Sequence, residues 1–294
     1  MSEKLEFKKV REFGEIISDT IQFIRQNFKS LLKVYAYFCG FFIVAGAIAA
    51  VMYQIDSRDV ILGAYDKNNP LSAYGFSKLL TLNYLLVFIF SLLMYTSINV
   101  SMLSFIALYI QKGNVAPSTE EVWSYFKYYF FRVLLSSILL SMLLVVGFVC
   151  CFIPGIYLFP ALTLFYPIMV LENMGFTDSF SRSFRLIKDN WWATAGVVLI
   201  IYVITYAAMS LASMPAVIIT MVGVFTQGAK GLSTTMLVIS SVIQYLCYVF
   251  LIVPVIGCTL CYFNLAERQE SAGLMDRINQ LGEQRNDFTT PEEY

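Results

Sequence analysis

Five stretches of this chain carry no Asp, Glu, Lys or Arg, and their lengths restrict what the chain can fold into. A helix needs about 20 mostly apolar residues to cross the hydrocarbon of a bilayer. Inside lipid every backbone amide must pair within its own segment, so apolar stretches of this length form helices. We therefore predict an all-α polytopic membrane protein. The charge-free stretches are residues 34–55, 79–111, 133–171, 190–229 and 231–266.

Composition agrees with this class and argues against several functions. Only 14% of the residues are charged, whereas about a quarter are charged in a typical soluble domain. The formal net charge is zero, which gives no reason to expect a nucleic-acid partner. The sequence contains no histidine, which excludes Ser-His-Asp catalysis and histidine-bound zinc. It also contains no phosphate-binding loop or dinucleotide fingerprint, so we predict no enzyme activity, no cofactor and no metal site.

Six spans account for the apolar stretches. The stretch 133–171 has 39 residues with Pro154-Gly155 near its middle, and this dipeptide is typical of a tight turn. We interpret it as a hairpin of two spans. Residues 1–267 then form one membrane domain, and residues 268–294 form a soluble tail. The spans are predicted at about 33–54, 80–110, 132–152, 155–171, 193–219 and 235–263.

The distribution of basic residues predicts the orientation. Six spans place both termini on one side, and 16 of the 20 Lys and Arg residues fall on that side. Positive charge accumulates on the cytoplasmic side of membrane proteins. We therefore expect both termini in the cytoplasm and the connection at 55–79 outside.

A repeat relates the N-terminal region to the middle of the chain. At a constant offset of 163 residues, Ser18 matches Ser181 and Asn27 matches Asn190. In both copies apolar residues recur in steps of 4, 4, 3 and 4, which draws one stripe along a helix. The stripes are Phe13, Ile17, Ile21, Ile24 and Phe28, and Phe176, Phe180, Phe184, Ile187 and Trp191.

A weaker third copy lies at 119–132, where Ser118 or Thr119 with Glu121 indicates a helix start. Its predicted apolar side consists of Val122, Tyr125, Phe126, Tyr129 and Val133. We therefore predict three tandem units, each an interfacial amphipathic helix followed by a helical hairpin. The interfacial helices are expected at about 10–30, 118–131 and 175–192.

Basic and aromatic residues at these helices are candidates for binding lipid headgroups. Amphipathic helices lie at the membrane surface with the apolar face down, and tryptophan prefers this depth. Cations near the anionic cytoplasmic leaflet gain about 1 kcal/mol each. The expected partner is therefore the anionic inner leaflet. The candidates are Arg25, Arg182, Arg185, Lys188, Trp191 and Trp192.

Beyond their first residues, of which Lys33 and Arg132 are charged, the spans contain no charged residue, although ion-coupled transporters usually carry one there. Their polar residues include Asn99, Thr163 and Gln244, of which Asn99 and Gln244 lie deepest. Such side chains usually hydrogen-bond between helices, and we favour this packing role over a substrate site. If they have a binding role, the cavity lies between the three units.

One segment resembles a known family. The residues are P-G-I-Y-L-F-P-A-L at 154–162, then Glu172, then D-S-F-S-R-S-F-R-L-I-K-D-N-W-W at 178–192. They resemble the membrane domain attached to some bacterial glycerophosphodiester phosphodiesterases and its free-standing relatives. The tail at 273–282 resembles that of free-standing members from Bacteroidetes-type bacteria. The resemblance implies a bacterial inner-membrane location. It implies no hydrolase activity, because the histidines and metal-binding carboxylates of that enzyme are absent.

Two functions remain after these exclusions. The first is a non-catalytic integral inner-membrane protein that serves envelope organisation or acts as an accessory subunit, with a protein partner or a second copy of itself. The alternative is a transporter or flippase for a lipid-like or other amphiphilic small molecule. A filled core favours the first, and a cavity lined by the polar span residues favours the second.

Overall fold

The computed structural model describes residues 4–63, 82–150, 152–227 and 234–270, and every regular element within these ranges is helical. Most of the predicted connection at 55–79 and of the predicted tail lies outside them. Short 3-10 turns occur at Lys188–Asn190 and Tyr248–Leu251. The α-helices are α1 (Phe13–Gly63), α2 (Leu82–Gln111), α3 (Thr119–Cys150), α4 (Phe152–Leu171), α5 (Phe176–Ile187), α6 (Trp191–Gln227), α7 (Thr234–Cys247) and α8 (Ile252–Glu270).

The prediction of a helical polytopic membrane protein is confirmed. Five helical stretches in the described ranges are long and apolar enough to cross a membrane. A sixth, Gly155–Leu171 in α4, is shorter and apolar, and its 17 residues match the lower limit of about 17 for a crossing. The five stretches are Phe13–Asp56, Leu82–Gln111, Thr119–Val149, Phe176–Gly223 and Thr234–Glu270.

The predicted turn at Pro154-Gly155 is wrong, because both residues lie in the first turn of α4, which begins at Phe152. Proline is tolerated there because the first N–H groups of a helix have no partner within it.

Helix boundaries differ from the predicted spans in two further ways. First, α1 and α3 each run without a break from the predicted surface segment into the span. Only the surface segment at 175–192 is separated from its span, by the 3-10 turn at Lys188–Asn190. Second, the predicted span 235–263 is divided at Tyr248–Leu251. Pro254 explains this division, because proline removes a helical donor and its ring crowds the carbonyl four residues earlier.

Three helices form the centre of the bundle. Each of α2, α4 and α8 contacts the other two. Residues 96–109 of α2 and 254–267 of α8 are buried without exception, as expected of helices that lack a polar face. Small residues in α2, including Ser97 and Ser101, allow its neighbours to approach closely. The surrounding helices α1, α3, α6 and α7 carry exposed apolar side chains, which suits contact with lipid.

The helix α5 folds back along α4. The ring of Phe176 lies 5.2 Å from that of Phe165, and the ring of Phe184 lies 6.3 Å from that of Tyr157. The residue numbers of these contacts increase along α5 and decrease along α4, so the two helices are antiparallel. The buried side of α5 consists of Ser179, Ser183, Leu186 and Ile187. The predicted surface helix therefore has a face that packs on protein.

Burial follows the predicted repeat in register. Ile16, Thr20 and Phe23 of α1 are buried, and so are Ser179, Ser183 and Leu186, their partners at the offset of 163. The predicted stripe of α1 lies beside this buried line, and three of its members, Phe13, Ile21 and Phe28, are exposed. In the third copy, 119–132, four of the five predicted apolar residues are buried and Tyr125 is half-buried.

The residues before α1 are bound to the bundle by one buried arginine. The side chain of Arg11 is 1% exposed, and its Nε donates to Asp19 Oδ2 at 2.7 Å. Its other nitrogens donate to the carbonyls of Phe7 and Lys9 at 2.7 and 3.1 Å, and to that of Glu6. The backbone N–H of Arg11 donates to Asn264 of α8 at 2.8 Å. One side chain thus shapes the segment and joins it to α1.

The start of α3 is capped reciprocally, as the sequence predicts. The backbone N–H of Ser118 donates to Glu121 Oε2 at 2.8 Å, and that of Glu121 donates to Ser118 Oγ at 3.4 Å. This is a capping box. The Lys112 ammonium donates to Glu121 Oε1 at 2.5 Å, and this bond, followed by the Ser118 bond, lowers the pKa of Glu121.

Replacing Ser118 with Ala is expected to loosen the first turn of α3 without unfolding the bundle. Hydrogen exchange of a peptide covering residues 119–123 should become several-fold faster, because one amide loses its acceptor.

A lowered carboxyl pKa stabilises the fold above the unfolded pKa, and this stabilisation is lost as the pH falls through the folded pKa. Protection of this turn in the wild type should therefore fall below about pH 4. Equal protection in both proteins would contradict a role for the cap.

Candidate functional site

A cavity of about 360 Å³ lies inside the bundle, between α2, α4, α6 and α8 and beside the turn at Tyr248–Leu251. Its volume falls within the range of about 300–1,000 Å³ that is usual for small-molecule sites. Five tyrosines dominate the wall: Tyr95, Tyr166, Tyr202, Tyr206 and Tyr248. Among the residues that the structure describes, no Asp, Glu, Lys or Arg lines it. The cavity therefore suits an uncharged molecule that packs against aromatic rings.

Two of the three predicted polar residues meet in this cavity. Asn99 and Thr163 both line it, from α2 and α4. Asn99 Nδ2 donates to the Tyr95 carbonyl at 2.9 Å, and Thr163 Oγ1 donates to the Pro160 carbonyl at 2.8 Å. Gln244 does not join them: it is exposed on α7 and is not among the lining residues. Its position in the sequence placed it deep in a span, but the face of α7 that carries it points away from the centre.

One proline in the wall leaves a backbone carbonyl without its helical hydrogen bond. Pro167 lies inside α4 and also lines the cavity. Because proline has no N–H, the carbonyl of Thr163, four residues earlier, receives no helical hydrogen bond. Irregular backbone at membrane depth is tolerated where it lines a cavity. The Thr163 carbonyl is thus an acceptor for a hydroxyl or amide of a ligand.

Tyrosines and small polar side chains share the wall. The rings of Tyr95 and Tyr166 are 6.2 Å apart, and Thr163 of α4 and Cys258 of α8 both line the cavity. Such a surface offers both donors and acceptors to a neutral polar group. It holds no charged group that would act as a general acid or base at neutral pH.

No family model, no curated protein and no solved structure matches this chain. The resemblance to the membrane domain of glycerophosphodiester phosphodiesterases therefore stays a prediction. Function must be argued from the cavity and from the charged residues at the ends of the helices.

Arg182 does not occupy the position expected for a headgroup ligand. Its side chain is 12% exposed, and its two terminal nitrogens donate to both oxygens of Glu270, at 2.8 and 2.9 Å. Its Nε lies 2.5 Å from Glu172 Oε2, an ion pair without hydrogen-bond geometry. Glu172 also accepts a hydrogen bond of 2.6 Å from the Tyr262 hydroxyl. Glu270 first, and Glu172 next, raise the pKa of the Arg182 guanidinium above its ordinary value.

This ion cluster joins three elements, because Glu172 follows α4, Arg182 belongs to α5 and Glu270 ends α8. Arg182 was predicted at the membrane surface from its place on an amphipathic helix, whereas its two carboxylate partners lie 10 and 88 residues away along the chain. Nothing in the local pattern identifies a partner at such a separation. The motif at 178–192 therefore contributes to the packing of α8.

The other headgroup candidates are placed more openly. Arg25, Arg185 and Lys188 are exposed. Trp192 is 84% exposed, whereas Trp191 stacks on Tyr157 at 5.6 Å and donates its indole N–H to the Tyr157 carbonyl at 3.2 Å. An open groove of about 660 Å³ runs along these tryptophans and Lys188. The structure thus keeps a cation and an amphipathic ring together at this surface.

The tyrosines of the cavity were missed in the sequence. They come from α2, α4, α6 and the turn before α8, so no single segment of the sequence contains the whole site. One signal was available: tyrosine is a polar group within spans that otherwise carry few, and 19 tyrosines are present in the chain. Asn99 and Thr163 were found because they are conspicuous in apolar surroundings.

Proposed function

We propose that this protein is a non-catalytic integral membrane protein that binds an uncharged amphiphilic small molecule within its bundle and transfers it across or out of the membrane. The observation that carries this proposal is the cavity on which Asn99 and Thr163 converge. It favours a transporter or flippase over a scaffold, since a scaffold needs only a filled core. Enzyme activity has no support from the wall chemistry.

The substrate class follows from the wall. A charged group would lose its hydration in a space that offers no counter-charge, so the ligand is neutral. Its polar part carries a hydroxyl or amide that donates to the Thr163 carbonyl and accepts from a tyrosine. Its remaining surface is apolar, because aromatic rings and aliphatic side chains form most of the wall.

The proposed topology has six crossings in three repeated units, with both termini in the cytoplasm of a bacterial inner membrane. Support comes from the 16 basic residues on one side, from burial that follows the offset of 163 residues, and from the central triangle of α2, α4 and α8. Reporter tags at residues 65 and 185 should lie on opposite sides. The same side for both would contradict this topology.

A proteoliposome assay tests the function. We expect purified protein to accelerate the transfer of a chain-labelled fluorescent monoacylglycerol between leaflets, measured by its access to an aqueous quencher. The variant Asn99→Leu combined with Thr163→Val should reduce the rate at least tenfold, because it removes polar groups of the wall. Gln244→Leu is the matched control and should leave the rate unchanged.

Two results would overturn the proposal. The first is an equal transfer rate with and without protein. The second is an equal loss in the cavity variant and in Gln244→Leu, which would place the effect outside the cavity. A protein that co-purifies in stoichiometric amounts from mild detergent, without an enriched neutral lipid, would instead support the accessory-subunit function.

The exposed cations are proposed to bind anionic headgroups of the inner leaflet. Replacing both Arg185 and Lys188 with Gln should lower the enrichment of phosphatidylglycerol around the protein about fivefold, since each cation contributes about 1 kcal/mol at the surface and salt screens part of it. Lipid mass spectrometry after extraction in mild detergent gives the ratio. Arg182→Gln should change this ratio less, because its guanidinium already binds two carboxylates. An unchanged ratio in the double variant would discard the headgroup role.

A further inference from the structure

A second cavity, of about 230 Å³, lies against the first, between α2, α3 and α4. The α3 side of it is formed by Ser137, Leu140, Ser141 and Leu144. The partition between the two cavities consists of side chains that line both: Tyr95, Phe159, Thr163, Tyr166 and Tyr202. Because the two walls share these five side chains, the two spaces adjoin, and they join when side chains of the partition move aside.

The chemistry of the second cavity differs from that of the first. Its serine hydroxyls donate to their own helix, Ser137 to the Val133 carbonyl and Ser141 to the Ile138 carbonyl, each at 2.8 Å. The rest of the wall away from the partition is leucine: Leu92, Leu140, Leu144 and Leu162. This space therefore accommodates hydrocarbon, whereas the first accommodates hydrocarbon and a polar group.

Size and position indicate that the second cavity extends the first. Its volume of about 230 Å³ falls below the ~300 Å³ at which ligand pockets usually begin. Ser141 is exposed, so the cavity reaches the outer surface of the bundle between α2 and α3. In a membrane protein this surface faces the hydrocarbon of the lipid.

We propose that one ligand occupies both cavities, and that it is a neutral single-chain amphiphile with a hydroxyl-bearing head, such as a monoacylglycerol. The head lies in the first cavity, near Asn99 and the Thr163 carbonyl. The alkyl chain passes between Tyr95 and Tyr166 into the leucine-lined cavity. This inference rests on the proposed function and specifies its substrate class and the path of the chain.

Photo-crosslinking in lipid nanodiscs tests the position of the chain. The probe is a monoacylglycerol with a diazirine at the end of its chain. We expect its cross-links, mapped by mass spectrometry, to concentrate on residues 140–144 of α3 and to be displaced by excess unlabelled monoacylglycerol. Cross-links spread evenly over the outer surface of α1, α3 and α6 would overturn the proposal.

A filled second cavity tests the path independently. Leu140→Trp should weaken binding of a long-chain monoacylglycerol at least tenfold and that of a short-chain analogue less than twofold, as measured by competition for the photo-probe or by microscale thermophoresis. Leu139→Trp is the control, since Leu139 is adjacent but exposed. Leu144→Trp fills the same space from a half-buried position and provides a second variant should Leu140→Trp fail to fold.

The outcomes separate this inference from the proposed function. In one outcome both analogues bind saturably, while Leu140→Trp weakens the affinity for each equally or for neither. That result overturns the two-cavity arrangement and leaves the proposed function intact. Saturable binding of neither analogue to the wild type overturns both. Weakening of the long-chain ligand alone supports the arrangement proposed here.

Discussion

Replacing Arg11 with Met is expected to be the most destabilising single substitution on the surface-facing ends of the bundle. Arg11 is almost fully buried, and its guanidinium satisfies Asp19 and three backbone carbonyls. Methionine fills a similar volume but leaves these acceptors unpaired. Loss of one partner of a buried ion pair costs about 3–5 kcal/mol. We expect the apparent melting temperature in detergent to fall by roughly 10 °C.

The position of the N-terminal segment provides a second measurement. Leu5 and Phe7 are buried, and Phe7 packs edge-on against Phe23, Tyr109 and Phe263, with ring centroids 5.0 to 6.1 Å apart. Without Arg11 the segment loses its turn, so trypsin should cleave after Lys8 and Lys9 under native conditions far more rapidly than in the wild type.

Arg25→Met is the matched control, because Arg25 lies on the same helix and is exposed. It should melt within about 1–2 °C of the wild type, as is usual for surface substitutions. Equal melting of Arg11→Met and Arg25→Met would show that the buried hydrogen bonds of Arg11 contribute nothing to stability.

Sequence patterning predicted the helices of this protein because lipid leaves few alternatives. A charge-free run of about 20 residues has to be helical in a bilayer, so the existence of α1, α2, α3 and α6 followed from composition alone. The division of the run at 133–171 into two helices also followed from local features, since the run is too long for one crossing, but the predicted place was wrong: Pro154 and Gly155 lie in the first turn of α4. The break at Tyr248–Leu251 was missed, although Pro254 was visible, because proline kinks in membrane helices do not always divide them.

Tertiary partners were less accessible to sequence analysis. The stripe of Phe13, Ile21 and Phe28 was expected to lie against lipid and is exposed, but the buried line beside it includes Thr20, a polar residue. In α5 the buried line includes Ser179 and Ser183. Hydrophobicity alone assigns such residues to the wrong side, because small hydroxyl residues pack well between helices while donating to their own backbone.

The cavity illustrates the same limit. Asn99, Thr163 and Gln244 were predicted together; the first two line the cavity, but Gln244 is exposed on α7. All three look alike in sequence, since each is a polar residue in an apolar run. Which of them faces the centre depends on the rotation of its helix about its own axis. For α7 this rotation is set by its contacts with neighbouring helices, which the local sequence does not specify.

Replacing Arg182 with Gln is the second substitution with a large expected effect. It leaves the carboxylates of Glu172 and Glu270 close together without their shared cation. The side chain of Glu172 is 15% exposed and that of Glu270 is 41% exposed, so solvent screens part of the repulsion. After this discount we expect a loss of about 2 kcal/mol and a clear decrease in the apparent melting temperature. Because Glu270 ends α8, hydrogen exchange near residues 265–270 should also become faster.

Two further variants decide whether the ion cluster is responsible. Arg185→Gln removes an exposed cation three residues along the same helix and should have little effect on melting. Combining Arg182→Gln with Glu270→Gln should restore much of the stability, because the remaining Glu172 keeps its hydrogen bond to Tyr262 and no longer faces a second carboxylate. Non-additivity of this kind is the expected result for residues that interact directly. The double variant's melting temperature could instead fall by the sum of the decreases in the two single variants. In that case Arg182 stabilises α5 by its own packing, and α8 is held by the buried contacts of the central triangle alone.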